Sequence, residues 1–317
     1  MQQRNVGRSG LRVSTVGLSC NNFGWTIDKE TSRPVVHKAL DLGISLFDTA
    51  DYYGSTPGDS EEVLGDLIQG QREKIVLATK FGVPLVGDRT PNNSRAYILQ
   101  AIEGSLRRLK TDWIDIYMIH WPDASTAMEE TLRALDDIVK SGKVRYIACS
   151  NLTPWRIVES KWIAKEASTH SFIAAQDEYN LLNRNVEKDM VPALQAYGMG
   201  LIPYFPLASG LLTGKYLEPE AEGRLQQNFL NLGNRLLTEA NIAKVRALND
   251  FAKQHDHSLL ELAMSWTASR PAVCSVIAGA TKPDQLEHNA NALNWTFTPD
   301  ELAEIDRILN GIAGVES

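Results

Sequence analysis

Several apolar runs in this sequence end in a side chain that can donate, accept or hold a proton. One closes as Phe47-Asp48-Thr49-Ala50-Asp51-Tyr52-Tyr53-Gly54, another as Ala78-Thr79-Lys80, and a third as Met118-Ile119-His120-Trp121. Ser150-Asn151, Gln176 and Tyr204 end further runs. Singly, each has an ordinary explanation: Asp48 can cap a loop, Lys80 can be a surface lysine, and His120 can pack or face solvent. An Asp, a Tyr, a Lys and a His at the ends of adjacent strands converge, and together they make an acid–base set. A lysine beside a carboxylate keeps its charge, and that charge is expected to lower a neighbouring phenol from its usual value of about 10. Such a tyrosine is a usable acid near neutral pH.

Bringing these ends together needs a particular set of elements. The runs span Ser14–Leu18, Ser45–Asp48, Ile75–Thr79, Ile114–Ile119, Arg145–Cys149, Phe172–Gln176, Gly200–Tyr204 and Cys274–Ala278. Amphipathic stretches lie between them: Pro34–Leu42, Glu61–Ile68, Tyr97–Leu109, Glu129–Lys140, Pro154–Lys165 and Val186–Tyr197. Most strand–helix pairs recur about every 30 residues, the size of one βαβ unit. Eight such strands predict a closed (β/α)8 TIM barrel, whose active site lies at the C-terminal strand ends. Ahead of it, Arg4-Asn5-Val6 and Leu11-Arg12-Val13-Ser14 flank a Gly/Ser turn and predict a β-hairpin cap.

Thr153-Pro154 and Thr298-Pro299 each place a capping hydroxyl before a first-turn proline, and Glu301 completes a capping box with Thr298. The segment Tyr216–Thr238 is too long for a plain connector and reads as a lid. With no linker or second composition regime, residues 1–317 are expected to form one domain.

Composition narrows the function classes. The chain carries 32 Lys+Arg against 39 Asp+Glu, a formal charge of −7, which does not suggest a nucleic-acid surface. No run reaches the ~18 apolar residues of a membrane helix, and Met1-Gln2-Gln3-Arg4-Asn5 lacks the apolar core of a secretion signal. Cys20, Cys149 and Cys274 are scattered and cannot form a disulfide framework. A soluble cytoplasmic protein is expected, with no nucleic-acid or membrane partner. The absence of Cys-x-x-Cys argues against structural zinc, and His255-x-His257, placed between helical segments on an expected solvated face, is a poor metal site.

The quoted residues resemble the motif set of the aldo-keto reductases, in the long-motif branch that includes channel β subunits. Phe47-Asp48-Thr49-Ala50 with Tyr53-Gly54, Ala78-Thr79-Lys80, Ile119-His120-Trp121-Pro122 and Cys149-Ser150-Asn151 carry the resemblance. So do Gln176 to Asn180, Pro206 to Lys215 and Ile277-Ala278-Gly279-Ala280-Thr281-Lys282, in order to about Leu293. It implies an NADPH-dependent oxidoreductase that interconverts carbonyls and alcohols with a metal-free set of Asp48, Tyr53, Lys80 and His120. Tyr53 is the implied acid because it directly precedes the glycine. Lys80, oriented by Asp48, would stabilise the tyrosinate, and His120 would hold the carbonyl oxygen.

The resemblance also implies the NADP contacts. Cys20 and Asn21 would lie near the nicotinamide and Asp48 near its ribose, with Ser150, Asn151 and Gln176 on the carboxamide and Tyr204 stacked on the ring. Leu207, Ser209, Gly210, Leu211 and Lys215 would wrap the pyrophosphate, joined by Arg224 from the lid, with Phe205 and Pro206 as further cofactor-binding residues. No Gly-x-Gly-x-x-Gly occurs, so a Rossmann turn is excluded. Gly279, Thr281 and Lys282 lead instead into a helix near Pro283 whose N-terminus suits an anion, and with Gln285 and Asn289 form the implied adenosine 2′-phosphate site, with His288 a cofactor-binding residue toward the adenine amine. His288 stands where relatives often carry Glu, and Phe205 where many carry Ser. Trp25, Tyr52, Phe81, Trp121 and the lid around Phe229 would line a mouth for apolar or ring-bearing carbonyl compounds. The rival reading is a regulatory or redox-sensing subunit that binds NADPH with little turnover.

Overall fold

The computed structural model describes residues 1–83, 90–218, 223, 225–226 and 231–311. Two short strands, β1 (Gln3–Asn5) and β2 (Arg12–Ser14), pair antiparallel with Arg4 opposite Val13. The eight that follow are parallel: β3 (Val16–Ser19), β4 (Leu46–Asp48), β5 (Val76–Phe81), β6 (Ile114–Ile119), β7 (Val144–Ser150), β8 (Ala174–Glu178), β9 (Gly200–Tyr204) and β10 (Val276–Gly279). Their order is β10-β3-β4-β5-β6-β7-β8-β9. The ring closes just before β10, where Leu201 N–H donates to Ala272 O at 2.7 Å and Cys274 N–H to Leu201 O at 3.0 Å. This is a (β/α)8 barrel with an N-terminal hairpin.

Side chains of a strand alternate between faces, so a closed parallel sheet sorts them into two cores. Leu46, Ala78, Ile116, Met118, Ala148, Ala174, Ile202, Cys274 and Ile277 pack together with Val6 and Val13 of the hairpin arm. Their odd-phase neighbours Phe47, Leu77, Tyr117, Ile119, Cys149, Ala175 and Leu201 pack outward against the helices. The hairpin plugs the N-terminal end, held by Arg8 N–H to Gly198 O at 2.8 Å and by Arg4 to the Ala268 and Val273 carbonyls. With that end sealed by apolar residues, the polar ends of β4 to β9 are left to the opposite rim.

The strand-linking helices are α1 (Lys29–Asp41), α2 (Asp59–Leu67), α3 (Arg95–Leu109), α4 (Met128–Lys140), α5 (Pro154–Ala167) and α6 (Met190–Tyr197). They are followed by α7 (Leu232–Leu236), α8 (Glu239–Gln254), α9 (Leu259–Ser269), α10 (Pro283–Asn291) and α11 (Pro299–Gly311). Among the described residues no helix is long and apolar enough to cross a membrane. The Thr298 box is formed: Glu301 N–H donates to Thr298 Oγ1 at 3.2 Å while Thr298 N–H donates to the Glu301 carboxylate at 2.6 Å. Three expectations need correction. Helix α1 starts before Pro34, because Asp28 caps it by accepting from Thr31 N–H at 2.9 Å. Thr153 precedes Pro154 at the start of α5, but its hydroxyl makes no cap bond. The stretch from Val186 is a short 3-10 turn, Asn185–Glu187, before α6 begins at Met190.

Candidate active site

Register and pleat decide which strand-end residues meet. On β5, Ala78 pairs with Asp48 of β4, and Lys80 lies one pleat further up, on the same inward phase. Its Nζ reaches back to Asp48 Oδ2 at 2.7 Å and to Thr49 O at 2.9 Å, and lies 3.4 Å from Tyr53 Oη. The loop carrying Tyr53 turns at Gly54, whose φ of 127° suits glycine and where a Cβ would stand 2.5 Å from that of Asp59. The His120 ring follows β6 and meets the Tyr53 ring edge-to-face, centroids 5.6 Å apart. Asp48, Tyr53, Lys80 and His120, drawn from neighbouring strand ends, therefore stand together.

Their electrostatics differ from the simple expectation at one point. Burial alone would discharge Lys80, but Asp48 and the Tyr53 hydroxyl hold the ammonium above the ordinary lysine value. Burial also pushes the Tyr53 phenol up; Lys80 pulls it down without overcoming that push, and Asp48 adds to it. The expected lowering of the tyrosine is thus overturned, because desolvation of a phenolate outweighs one nearby ammonium that is itself neutralised by a carboxylate. His120 is held well below its usual value by burial, then by the Lys80 charge, so its imidazole is neutral.

Further residues join this group. Gln176 Nε2 donates to Asp48 Oδ1 at 2.9 Å, Ser150 Oγ donates to Gln176 O at 2.8 Å, and Asn151 Nδ2 donates to His120 O at 2.9 Å. Tyr204 ends β9 with its hydroxyl on Asn151 Oδ1 at 3.0 Å and its ring against Phe205. Cys20 is buried, and its N–H donates to Asp48 O at 2.8 Å. Gly279, ending β10, faces the side chains of Asn21 and Asn22.

Whether this rim fits a dinucleotide can be judged from polar atoms that the protein leaves unsatisfied. His120 Nδ1, Asn21 Oδ1 and Ser209 Oγ are buried without a partner. After β9 and Pro206, Leu207 leads into a turn in which Ser209 and Gly210 have φ of 55° and 93°. A Cβ on Gly210 would lie 3.7 Å from Lys215 Nζ, so the ammonium sits over the turn. An unpaired hydroxyl beside a cation and a tight turn is a donor set suited to a phosphate. The Leu211 side chain is fully buried in the outer core, leaving only its backbone for a ligand. At α10, Gln285 Oε1 accepts from Thr281 N–H and Oγ1–H, Lys282 and His288 are exposed, and Asn289 is buried. These residues fit the group.

At the mouth, Trp25 and Trp121 are 40% and 45% exposed and Tyr52 is half-buried. Phe81 is not with them. It follows the inward-facing Lys80, so it points outward, fully buried and stacked on Tyr117 at 4.7 Å. Arg224 and Phe229 lie outside the described residues. His255 is exposed, as expected, with Nδ1 3.2 Å from Glu301, whereas His257 is half-buried and stacks on Trp295 at 4.2 Å.

A family model described as "Aldo/keto reductase family" matches residues 15–310. The chain belongs to that family. It is 39% identical to the L-glyceraldehyde 3-phosphate reductase of Escherichia coli O157:H7, covering 97% of this chain and 92% of that one. It is 36% identical to a probable voltage-gated potassium channel subunit beta of Oryza sativa subsp. japonica, over 98% and 97%. It is 32% identical to the aldo-keto reductase YhdN of Bacillus subtilis, over 98% and 94%.

In this aldo/keto reductase, sequence reasoning passed over a second polar group behind Lys80. Glu61 is fully buried on α2, accepting from Thr79 Oγ1 at 2.6 Å and paired with Arg108 of α3 at 2.7 Å. Asp51 is buried beside it, its carboxyl raised well above the usual range by burial and by the Glu61 charge. The available signal was Glu61 on the same stripe as Leu64 and Ile68, since an acid at helical spacing with apolar residues is either buried or misplaced.

Proposed function

We propose that this protein is an NADPH-dependent oxidoreductase that reduces aldehyde or ketone carbonyls to alcohols, or runs the reverse, with Tyr53 as general acid or base. The supporting observation is the 3.4 Å contact of the Tyr53 phenol with Lys80, whose charge Asp48 holds in place. NADPH, when bound, supplies the hydride. Negative charge developing on the substrate oxygen is met by the Tyr53 proton, and the tyrosinate left behind is stabilised by Lys80. The raised phenol keeps Tyr53 protonated until that moment. Neutral His120, edge-to-face with the Tyr53 ring, holds the carbonyl oxygen.

In this reading Cys20 and Asn21 border the nicotinamide, Ser150, Asn151 and Gln176 bind its carboxamide, and Tyr204 covers the ring. Ser209, Gly210 and Lys215 hold the pyrophosphate. Thr281 and Lys282, at the start of α10, receive the 2′-phosphate and favour NADP over NAD. Trp25, Tyr52 and Trp121 bound a small-molecule substrate with apolar or aromatic parts. The protein works in the cytoplasm without nucleic acid or membrane.

The rice relative named as a channel subunit supports a second reading, a cofactor-binding regulatory protein with little turnover. Purified protein and Tyr53→Phe are compared on a panel of aldehydes, ketones, secondary alcohols and L-glyceraldehyde 3-phosphate, which the E. coli relative's name suggests. A loss of about 10² to 10⁴ in rate with NADPH binding kept is expected. Equal rates would remove the catalytic reading.

A further inference from the structure

The Tyr53 loop, between β4 and α2, has no strand or helix of its own to hold the phenol against Lys80. Besides its own turn bonds and Ser55 N–H to Gly24 O at 2.9 Å, two consecutive residues in the first turn of α2 tie it to the neighbouring strand ends. Ser60 N–H donates to the Tyr53 carbonyl at 3.1 Å. Ser60 Oγ–H donates to the Cys20 carbonyl at 2.7 Å, and the same oxygen is 2.8 Å from Thr49 Oγ1. Glu61 Oε1 accepts from Thr79 Oγ1–H at 2.6 Å, on the residue before Lys80. Ser60 and Glu61 are both fully buried.

The groups they hold belong to both sides of the Tyr53–Lys80 contact. Thr49 receives the Lys80 ammonium on its carbonyl at 2.9 Å and donates its N–H to Ala78 O at 2.9 Å. Asp51 N–H donates to Lys80 O at 3.1 Å, closing the loop onto β5. Displacing α2 by a fraction of an ångström would therefore move Tyr53 relative to Lys80. Stability alone is a weak reason for burying Glu61, because a buried ion pair such as Glu61–Arg108 is commonly no better than apolar residues of similar volume. Holding reacting groups in place is a sufficient one, since misplacement by about 1 Å costs about 100-fold in rate.

We propose that Ser60 and Glu61 are positioning residues that set the Tyr53 phenol against the Lys80 ammonium, Ser60 through its hydroxyl contacts with the Cys20 carbonyl and Thr49, and Glu61 through Thr79. The proposal rests on Tyr53 being the proton donor, but its geometry can be read without turnover.

The test uses Ser60→Ala, Thr79→Val and Thr79→Ser in the full chain, with tyrosine labelled at the phenol carbon. The Tyr53 resonance is assigned by its loss in Tyr53→Phe. Ser60→Ala and Thr79→Val are expected to move that resonance and to lower kcat about 10- to 100-fold, with KM and NADPH affinity within about 2-fold. Thr79→Ser, which keeps the hydroxyl for Glu61, is expected to restore both. Should Ser60→Ala fail to fold, the isosteric Thr79→Val and its serine counterpart decide alone. A folded Thr79→Val whose Tyr53 resonance and kcat are those of wild type would overturn the proposal. If Tyr53→Phe keeps the wild-type rate, the catalytic reading falls, while the resonance still reports what places the phenol.

Discussion

Asp48 and Lys80 form an ion pair at 2.7 Å with 1% and 0% of their side chains exposed. Two charges so far from water tolerate each other's presence far better than each other's absence. Lys80→Met should cost about 3 to 5 kcal/mol, because it leaves a carboxylate in the barrel mouth without its cation. The double variant Asp48→Asn/Lys80→Met should recover a large part of that loss. Urea unfolding of both measures it; a double variant less stable than the single would show that the pair is not the source.

His120 is neutral throughout the physiological range, since burial and the Lys80 charge hold its value well below 6.5. The rate of carbonyl reduction should accordingly show no histidine inflection between about pH 6 and 7. With both Lys80 and Tyr53 raised, the acid form of Tyr53 persists through neutrality, and loss of activity belongs to the alkaline side. A pH profile of kcat/KM with an inflection near 6.5 that disappears in His120→Gln would contradict this.

Asp177, next to Gln176 on β8, has a buried carboxylate oxygen without a partner. Burial pushes its carboxyl up to about 7, against an opposing influence from the Asn151 backbone N–H. The folded value exceeds the unfolded one of about 3.9, so the native state retains a proton that the unfolded chain releases. Stability should fall as pH rises from about 4 to about 7 and the penalty should then level off. Asp177→Asn should stabilise by about 1 to 2 kcal/mol at pH 8, allowing for partial solvent screening, and by little at pH 4. Denaturant midpoints at the two pH values decide it; an equal gain at both would point to packing instead.

Lys282 is exposed at the N-cap position of α10 and makes no side-chain cap bond there, so a 2′-phosphate would meet both its charge and the free helix N-terminus. Lys282→Ala should weaken NADPH binding about 10-fold and leave NADH nearly unchanged, in line with one lost charge-assisted hydrogen bond. Fluorescence titration with each dinucleotide measures the ratio. An unaltered preference would move the 2′-phosphate elsewhere.

Much of this architecture was readable along the chain. The runs at Ile114–Ile119 and Gly200–Tyr204 coincide with β6 and β9, and the residues ending the apolar runs are those that gather at the rim. Strand identity, crossover spacing and capping are local properties, encoded in a few neighbouring residues by side-chain alternation and backbone sterics. Other features needed the assembled fold. Phe81 sits outward because Lys80 points inward. The Tyr53 phenol is raised because burial in the assembled barrel mouth strips its water, an effect that no adjacent residue reveals. Glu61 finds Thr79 eighteen residues away and Arg108 forty-seven away, through contacts that exist only once α2, α3 and β5 are packed. Burial and ion pairing depend on what closes around a group from distant parts of the chain, so the sequence by itself determined which chemistry was present and on which strands, and tertiary packing decided its charge states and its supports.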